Sequence, residues 1–135
     1  CVFIDDVHGP RNLTQVYQAD LSPMSGIKVI DISDAEVAED PLMVSRRVIR
    51  KEHGAESMSL NITTVNEGYD DPAVVYPDND EIVYILSGTA EITVDGEIHT
   101  LNPGKAIYIP RGQAYGWKVT EGPNEAVVVF TPARF

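Results

Sequence analysis

The stretch Gly68–Gly88, GYDDPAVVYPDNDEIVYILSG, decides the fold. Its second half, Glu81 to Ser87, is an apolar run rich in Ile, Val and Tyr, and Ser87-Gly88 closes it like the end of a strand. A second run follows at once, Thr89 to Val94, in which Ala90, Ile92 and Val94 alternate with Thr89, Glu91 and Thr93. Asp95-Gly96 then predicts a type I′ hairpin turn, and Glu97 to Leu101 the returning strand.

The same pattern extends on both sides. Upstream, Met43 to Arg50 reads as a strand and Lys51-Glu52-His53-Gly54 as a turn. Glu56 to Asn66 alternates, with Met58, Leu60 and Ile62 on one face and Ser57, Ser59, Asn61 and Thr63 on the other. Downstream come Ala106 to Pro110, Tyr115 to Thr120 and Glu125 to Thr131. They are separated by Asn102-Pro103-Gly104, Arg111-Gly112 and Gly122-Pro123-Asn124. About eight short strands without a helical period between them predict an all-β sandwich or barrel. The first forty residues carry less pattern. His8 to Asn12 reads as a turn and Ile27 to Ile32 as a short strand. Asp31 to Asp40 reads as a helical turn or loop that Asp40-Pro41 ends. One structural domain is expected, a lead-in over 1–42 and a barrel over 43–135.

Composition narrows the partners. Twenty-one acidic and ten basic residues give a net charge of −11, which argues against nucleic acid or an anionic membrane as a partner. No apolar run approaches the roughly 20 residues that span a bilayer. The single cysteine excludes an internal disulfide framework and fits a reducing cytoplasm, the location we expect.

The glycine spacing resembles the two signatures of the cupin superfamily. The first runs Gly, five residues, His-x-His, three or four residues, Glu, six residues, Gly. Counted from Gly68, it places Val74 and Tyr76 at the histidine positions, Glu81 at the glutamate and Gly88 at the final glycine. The second runs Gly, five residues, Pro-x-Gly, two residues, His, three residues, Asn. Gly104, Pro110 and Gly112 match it, Tyr115 replaces the histidine and Val119 the asparagine. The resemblance covers residues 43 to 131 and implies a cupin jelly roll, a double-stranded β-helix barrel. DNDEIVYILSGTAEITVDG and KAIYIPRG look most like the ethanolamine-utilisation protein Q branch, to which an acetate kinase activity is ascribed. That branch also lacks the histidine pair. Small cupins usually pair through one sheet, so the resemblance further implies a homodimer, to which the first forty residues would contribute.

In cupins the motif positions point into the barrel mouth, so the resemblance puts Tyr76, Glu81 and Tyr115 together there, with Val74 beside them. A metal site needs imidazoles and a carboxylate with open positions, and all three imidazoles are replaced. His8, His53 and His99 stand at no motif position. Neither a metal nor another cofactor is therefore expected. A carboxylate in an apolar barrel becomes a usable acid or base near neutrality, and a buried phenol can donate to a carbonyl. Glu81 with Tyr76 and Tyr115 thus suggests proton transfer next to a carbonyl, the work of a lyase or isomerase. The alternatives are a non-catalytic metabolite-binding cupin and a structural one in which the tyrosines merely fill the barrel. Val74, Asn61, Trp117, Tyr108 and Arg50 are the candidate substrate contacts. The two aromatics offer a stacking surface. One arginine of the group Arg46, Arg47 and Arg50 could hold a carboxylate or phosphate. Neither a Gly-rich phosphate loop nor a G-x-S-x-G nucleophile motif is present.

Overall fold

The computed structural model describes residues 26–135, so the turn expected at His8–Asn12 lies outside the described residues. Eight strands form: β1 Glu36–Asp40, β2 Met43–Ile49, β3 Ser59–Val65, β4 Asp70–Val74, β5 Asp80–Val94, β6 Glu97–Leu101, β7 Ala106–Ile109 and β8 Tyr115–Thr131. All their pairings are antiparallel. They make one hydrogen-bonded sheet folded over on itself, because β5 and β8 pair along their whole lengths and run through both leaves. One leaf contains β1, β2, β3, the end of β8, the start of β5, and β7. The other contains β4, the start of β8, the end of β5, and β6. This is the jelly roll expected from the motif spacing.

The fold-over depends on two glycines. Gly88 has φ +71°, and a Cβ there would lie 2.5 Å from the Pro123 carbonyl oxygen and 2.6 Å from that of Glu121. A Cβ on Gly122 would lie 2.6 Å from the Glu67 nitrogen. Only glycine lets these backbones approach so closely, and at Gly88 it also relieves the left-handed conformation. The breaks predicted at Ser87-Gly88 and at Gly122-Pro123-Asn124 are therefore bends inside continuous strands. Pro72 sits in β4, an edge strand bonded only to β8, where a missing N–H is tolerated.

The lead-in departs from expectation. Ile27 to Ile32 forms no strand, and Ile27 and Val29 are exposed. The strand forms later, at Glu36–Asp40, after a 3-10 turn at Ile32–Asp34 whose first amides are capped by Asp31. Tertiary pairing overrides the local apolar pattern: β1 lies against β2, and the Glu36 carboxylate meets Arg47 Nη1 at 2.8 Å across the ladder. The lead-in thus supplies one strand to the sheet. Among the described residues, no helix is long and apolar enough to cross a membrane.

The leaves bury Val83, Ile85, Ala90, Ile92, Val119, Ala126 and Phe130 between them. Each such valine, isoleucine or phenylalanine removed from water contributes about 1.5–3 kcal/mol and the alanines less, which makes the β5–β8 ribbon the main stabilising element. The parity of β3 is reversed relative to a simple core strand. Ser59, Asn61 and Val65 face inward and are buried, whereas Met58 is exposed and Leu60 and Ile62 lie on the outer face.

Candidate active site

Glu81 opens β5 on the inward face, beside Phe130 of β8. Tyr115 opens β8 in the opposite leaf, paired with Val74 of β4. Because the leaves face each other, these two strand starts converge, and the Tyr115 hydroxyl donates to Glu81 Oε1 at 2.7 Å. The loop after β7 holds the constellation in place. Gly112 N donates to the Tyr76 carbonyl at 2.9 Å. Arg111 bonds Asp80 through its backbone N–H and its guanidinium, at 2.9 to 3.2 Å, which anchors the residue preceding Glu81. Tyr76 packs edge-on against Phe130 with ring centroids 4.8 Å apart, and the Arg134 guanidinium carbon lies 4.5 Å from the centre of the Tyr76 ring.

Glu81, Tyr115 and Tyr76 border a cavity of about 280 Å³ between the leaves. Val74, Tyr76, Glu81, Tyr115 and Trp117 line it, as does Asn61. The rim is formed by β1, where Glu39 is exposed. The barrel is thus not plugged by its aromatic residues.

Burial raises the Glu81 carboxyl to about 7, although the Tyr115 hydrogen bond and the Arg134 charge both act to lower it. Tyr115 moves upward through burial, the neighbouring Glu81 charge and the hydrogen bond it donates. Tyr76 is pushed up to about 12, by burial first and then by Glu81. Glu81 therefore titrates near neutrality while both phenols keep their protons. Its second oxygen, Oε2, has no hydrogen-bond partner among the described residues.

Cupin motif positions imply a metal, and the donors present do not fit one. Val74 has no donor atom. Tyr115 has its proton engaged to Glu81, and Tyr76 does not ionise near neutral pH. Among the described residues, no group of three His, Cys, Asp or Glu side chains is arranged to hold an ion.

Two sequence candidates lie elsewhere. Tyr108 is 61% exposed on the outer face, opposite Ile82, because its neighbours Ile107 and Ile109 take the inward positions. Arg50 follows the end of β2 and turns away, donating to the Arg47 carbonyl at 2.7 Å and pairing with Glu52. The arginine that reaches the cavity is Arg47, directly across from Asn61 in the β2–β3 register. Its guanidinium carbon lies 3.7 Å over the Phe135 ring. Counting the parity of β2 from Asn61 would have selected it. Phe135 is set against the cavity by the bond from Lys51 N to its carbonyl, 2.6 Å, a contact without sequence signal. Asn124 reads as a turn residue in Gly122-Pro123-Asn124, yet it is fully buried and lines the cavity.

A cupin domain model matches residues 61–131, more than half of the chain. The chain is a cupin. Its jelly roll superposes on KdgF from Halomonas sp. with a TM-score of 0.70 at 18% identity, covering 80% of this chain and 96% of that one. Ectoine synthase from P. lautus gives 0.70 at 23% identity, covering 79% of each chain. The polyketide cyclase RemF from Streptomyces resistomycificus gives 0.65 at 23%, covering 78% of this cupin and 79% of that chain. At these identities the likeness concerns the fold. No curated protein sequence matches the chain.

Proposed function

We propose that this cupin is a metal-independent enzyme that moves a proton next to a carbonyl in a small organic molecule, as a lyase or isomerase does. The observation that carries the reading is Glu81, buried at the wall of an open cavity, brought to about 7, and held through one oxygen by Tyr115 while the other has no partner among the described residues. A carboxyl with its pKa near the working pH is half in each form, which suits an acid or base. In this reading the free oxygen removes a proton from carbon. The Tyr115 hydroxyl keeps the carboxylate oriented, and Tyr76, protonated at neutral pH, forms the aromatic wall and can donate to the developing oxyanion. Ectoine synthase and the polyketide cyclase RemF, both built on this fold, are consistent with a barrel that handles small molecules.

The test is hydrogen–deuterium exchange at carbon. Small aldehydes and ketones are incubated with the protein in D2O and followed by proton NMR. The exchange rate should rise with pH through about 7 and then level off, because the base must be ionised. Glu81→Gln should lower it 10²–10⁴-fold with the fold retained, and Tyr115→Phe should lower it less. Exchange that persists in Glu81→Gln overturns the reading and leaves a metabolite-binding cupin.

A further inference from the structure

The described residues leave four buried side-chain polar atoms without a hydrogen-bond partner: Arg47 Nε, Asn61 Oδ1, Trp117 Nε1 and Asn124 Oδ1. All four residues line the one cavity that holds Glu81. Asn61 and Asn124 are 3% and 0% exposed, so bulk water does not reach them freely. Buried polar groups are otherwise almost always paired, and leaving them unpaired is costly. Their concentration in a single cavity indicates groups arranged for something that enters it.

The chemistry of the four atoms limits what that is. Guanidinium Nε and indole Nε1 are donors only, so the occupant must bring acceptors. Arg47 is held in a fixed orientation. Its Nη1 is taken by Glu36 at 2.8 Å and its face by the Phe135 ring at 3.7 Å. The edge that carries Nε remains, and a guanidinium edge matches the two oxygens of a carboxylate. Asn124 is also fixed. Its Nδ2 donates to the Ser87 carbonyl at 3.1 Å, which leaves Oδ1 as an acceptor and calls for an O–H or N–H on the occupant. Asn61 neighbours Arg47 across the ladder and offers its own amide.

Charge narrows the class further. Among the described residues, Arg47 is the only cationic side chain lining the cavity, whereas Glu39, Asp40 and Glu81 are acidic. Arg47 shares its charge with Glu36 at 2.8 Å and keeps only the Nε edge for an occupant, so a second carboxylate on the occupant meets repulsion. Arg47 lies in β2 and Glu81 in β5, with β3 and β8 between them in the same curved leaf. Both side chains line the same cavity.

We propose that the cavity binds a small monocarboxylic acid bearing a hydroxyl or amino group, anchored through its carboxylate on Arg47 and Asn61 and presenting its far end to Glu81. This rests on the catalytic reading only for the role of Glu81; the anchoring stands apart from it.

Titration calorimetry on the full chain tests it, with 4-hydroxybutyrate, 4-aminobutyrate and gluconate as probes, beside their primary amides and the dicarboxylates succinate and malate. At least one hydroxy- or amino-acid probe should bind at least tenfold more tightly than its amide and than either dicarboxylate. Arg47→Gln should abolish the preference for acid over amide, and Arg47→Lys should keep part of it. The acid–amide comparison in the unaltered protein needs no variant to fold. Glu81→Gln should still bind the acids more tightly than their amides. Equal binding of acid and amide, or no binding by any monocarboxylate, overturns the proposal and leaves the four atoms to ordered water. Acid binding without any Glu81-dependent exchange at carbon sinks the catalytic reading while leaving the ligand class standing.

Discussion

The inner face of one leaf is polar over its β2–β3 part, while the outer face of the same leaf carries apolar rows. On the inner face, the β2–β3 pair presents Ser45, Arg47, Asn61 and Thr63 to the cavity. On the outer face, register sets Leu60, Val129, Ile82 and Tyr108 in one row and Ile62, Val127 and Tyr84 in the next. Ile82, Tyr84 and Tyr108 are 46%, 43% and 61% exposed. A sheet with one wet face ordinarily turns its apolar side inward. Here part of the interior is given to a site, and the outer rows form an apolar surface of the kind that marks association. A second copy of this chain is the occupant we propose, because a two-fold interface is self-complementary and requires no other partner.

Neighbouring residues in β5 separate the two faces most sharply. Val83, 1% exposed, points inward and Ile82 outward. Val83→Asp places a charge in the core and should prevent folding, read by loss of the cooperative thermal transition. Ile82→Asp should leave a folded chain that sediments as a monomer where the unaltered protein sediments as a dimer. A monomer in the unaltered protein would show that the outer face is merely tolerated.

Stability against pH probes the inner face alone. The Glu81 carboxyl lies above its ordinary 4.5 in the folded state, so the native chain holds a proton that the unfolded chain has released. The associated stability is fully present below about pH 4.5 and is lost as pH rises through about 7. The displacement corresponds to about 3 kcal/mol. Denaturant melts at pH 4.5 and 8 should show this fall in the unaltered protein and a much smaller one in Glu81→Gln. Equal slopes in the two proteins would mean that the carboxyl is better solvated than its burial indicates.

The smallest effect concerns the polar wall. Asn61→Leu removes a buried amide with an unpartnered oxygen and adds apolar volume beside an existing cavity. It should raise stability by about 1 kcal/mol while weakening ligand binding, the trade expected where a site is held at the expense of the core. Chemical denaturation and the calorimetry above measure the two effects. A destabilised Asn61→Leu would place the amide among the structural groups.

The fold was legible because its signals are local. Asp95-Gly96 fixes a hairpin, and Gly68, Gly88, Gly104 and Gly112, all with positive φ, mark places where the backbone must take a conformation that side chains resist. Glu81, Tyr76, Tyr115 and Val74 followed from the same spacing, since they sit at fixed offsets from those turns. What the amino acids alone could not decide was which face of each strand turns inward. Alternation gives two faces of equal standing, and a one-residue change of parity exchanges them. That choice placed Asn61 inside and Tyr108 outside, and it put Arg47 rather than Arg50 at the cavity. It depends on how β2, β3 and β8 meet across the ladder, interactions between residues far apart in the chain. The contacts of Asn124 and Phe135 with the cavity, and the pKa of Glu81 near neutrality, are likewise products of packing. Burial between two leaves exists only once both leaves have formed.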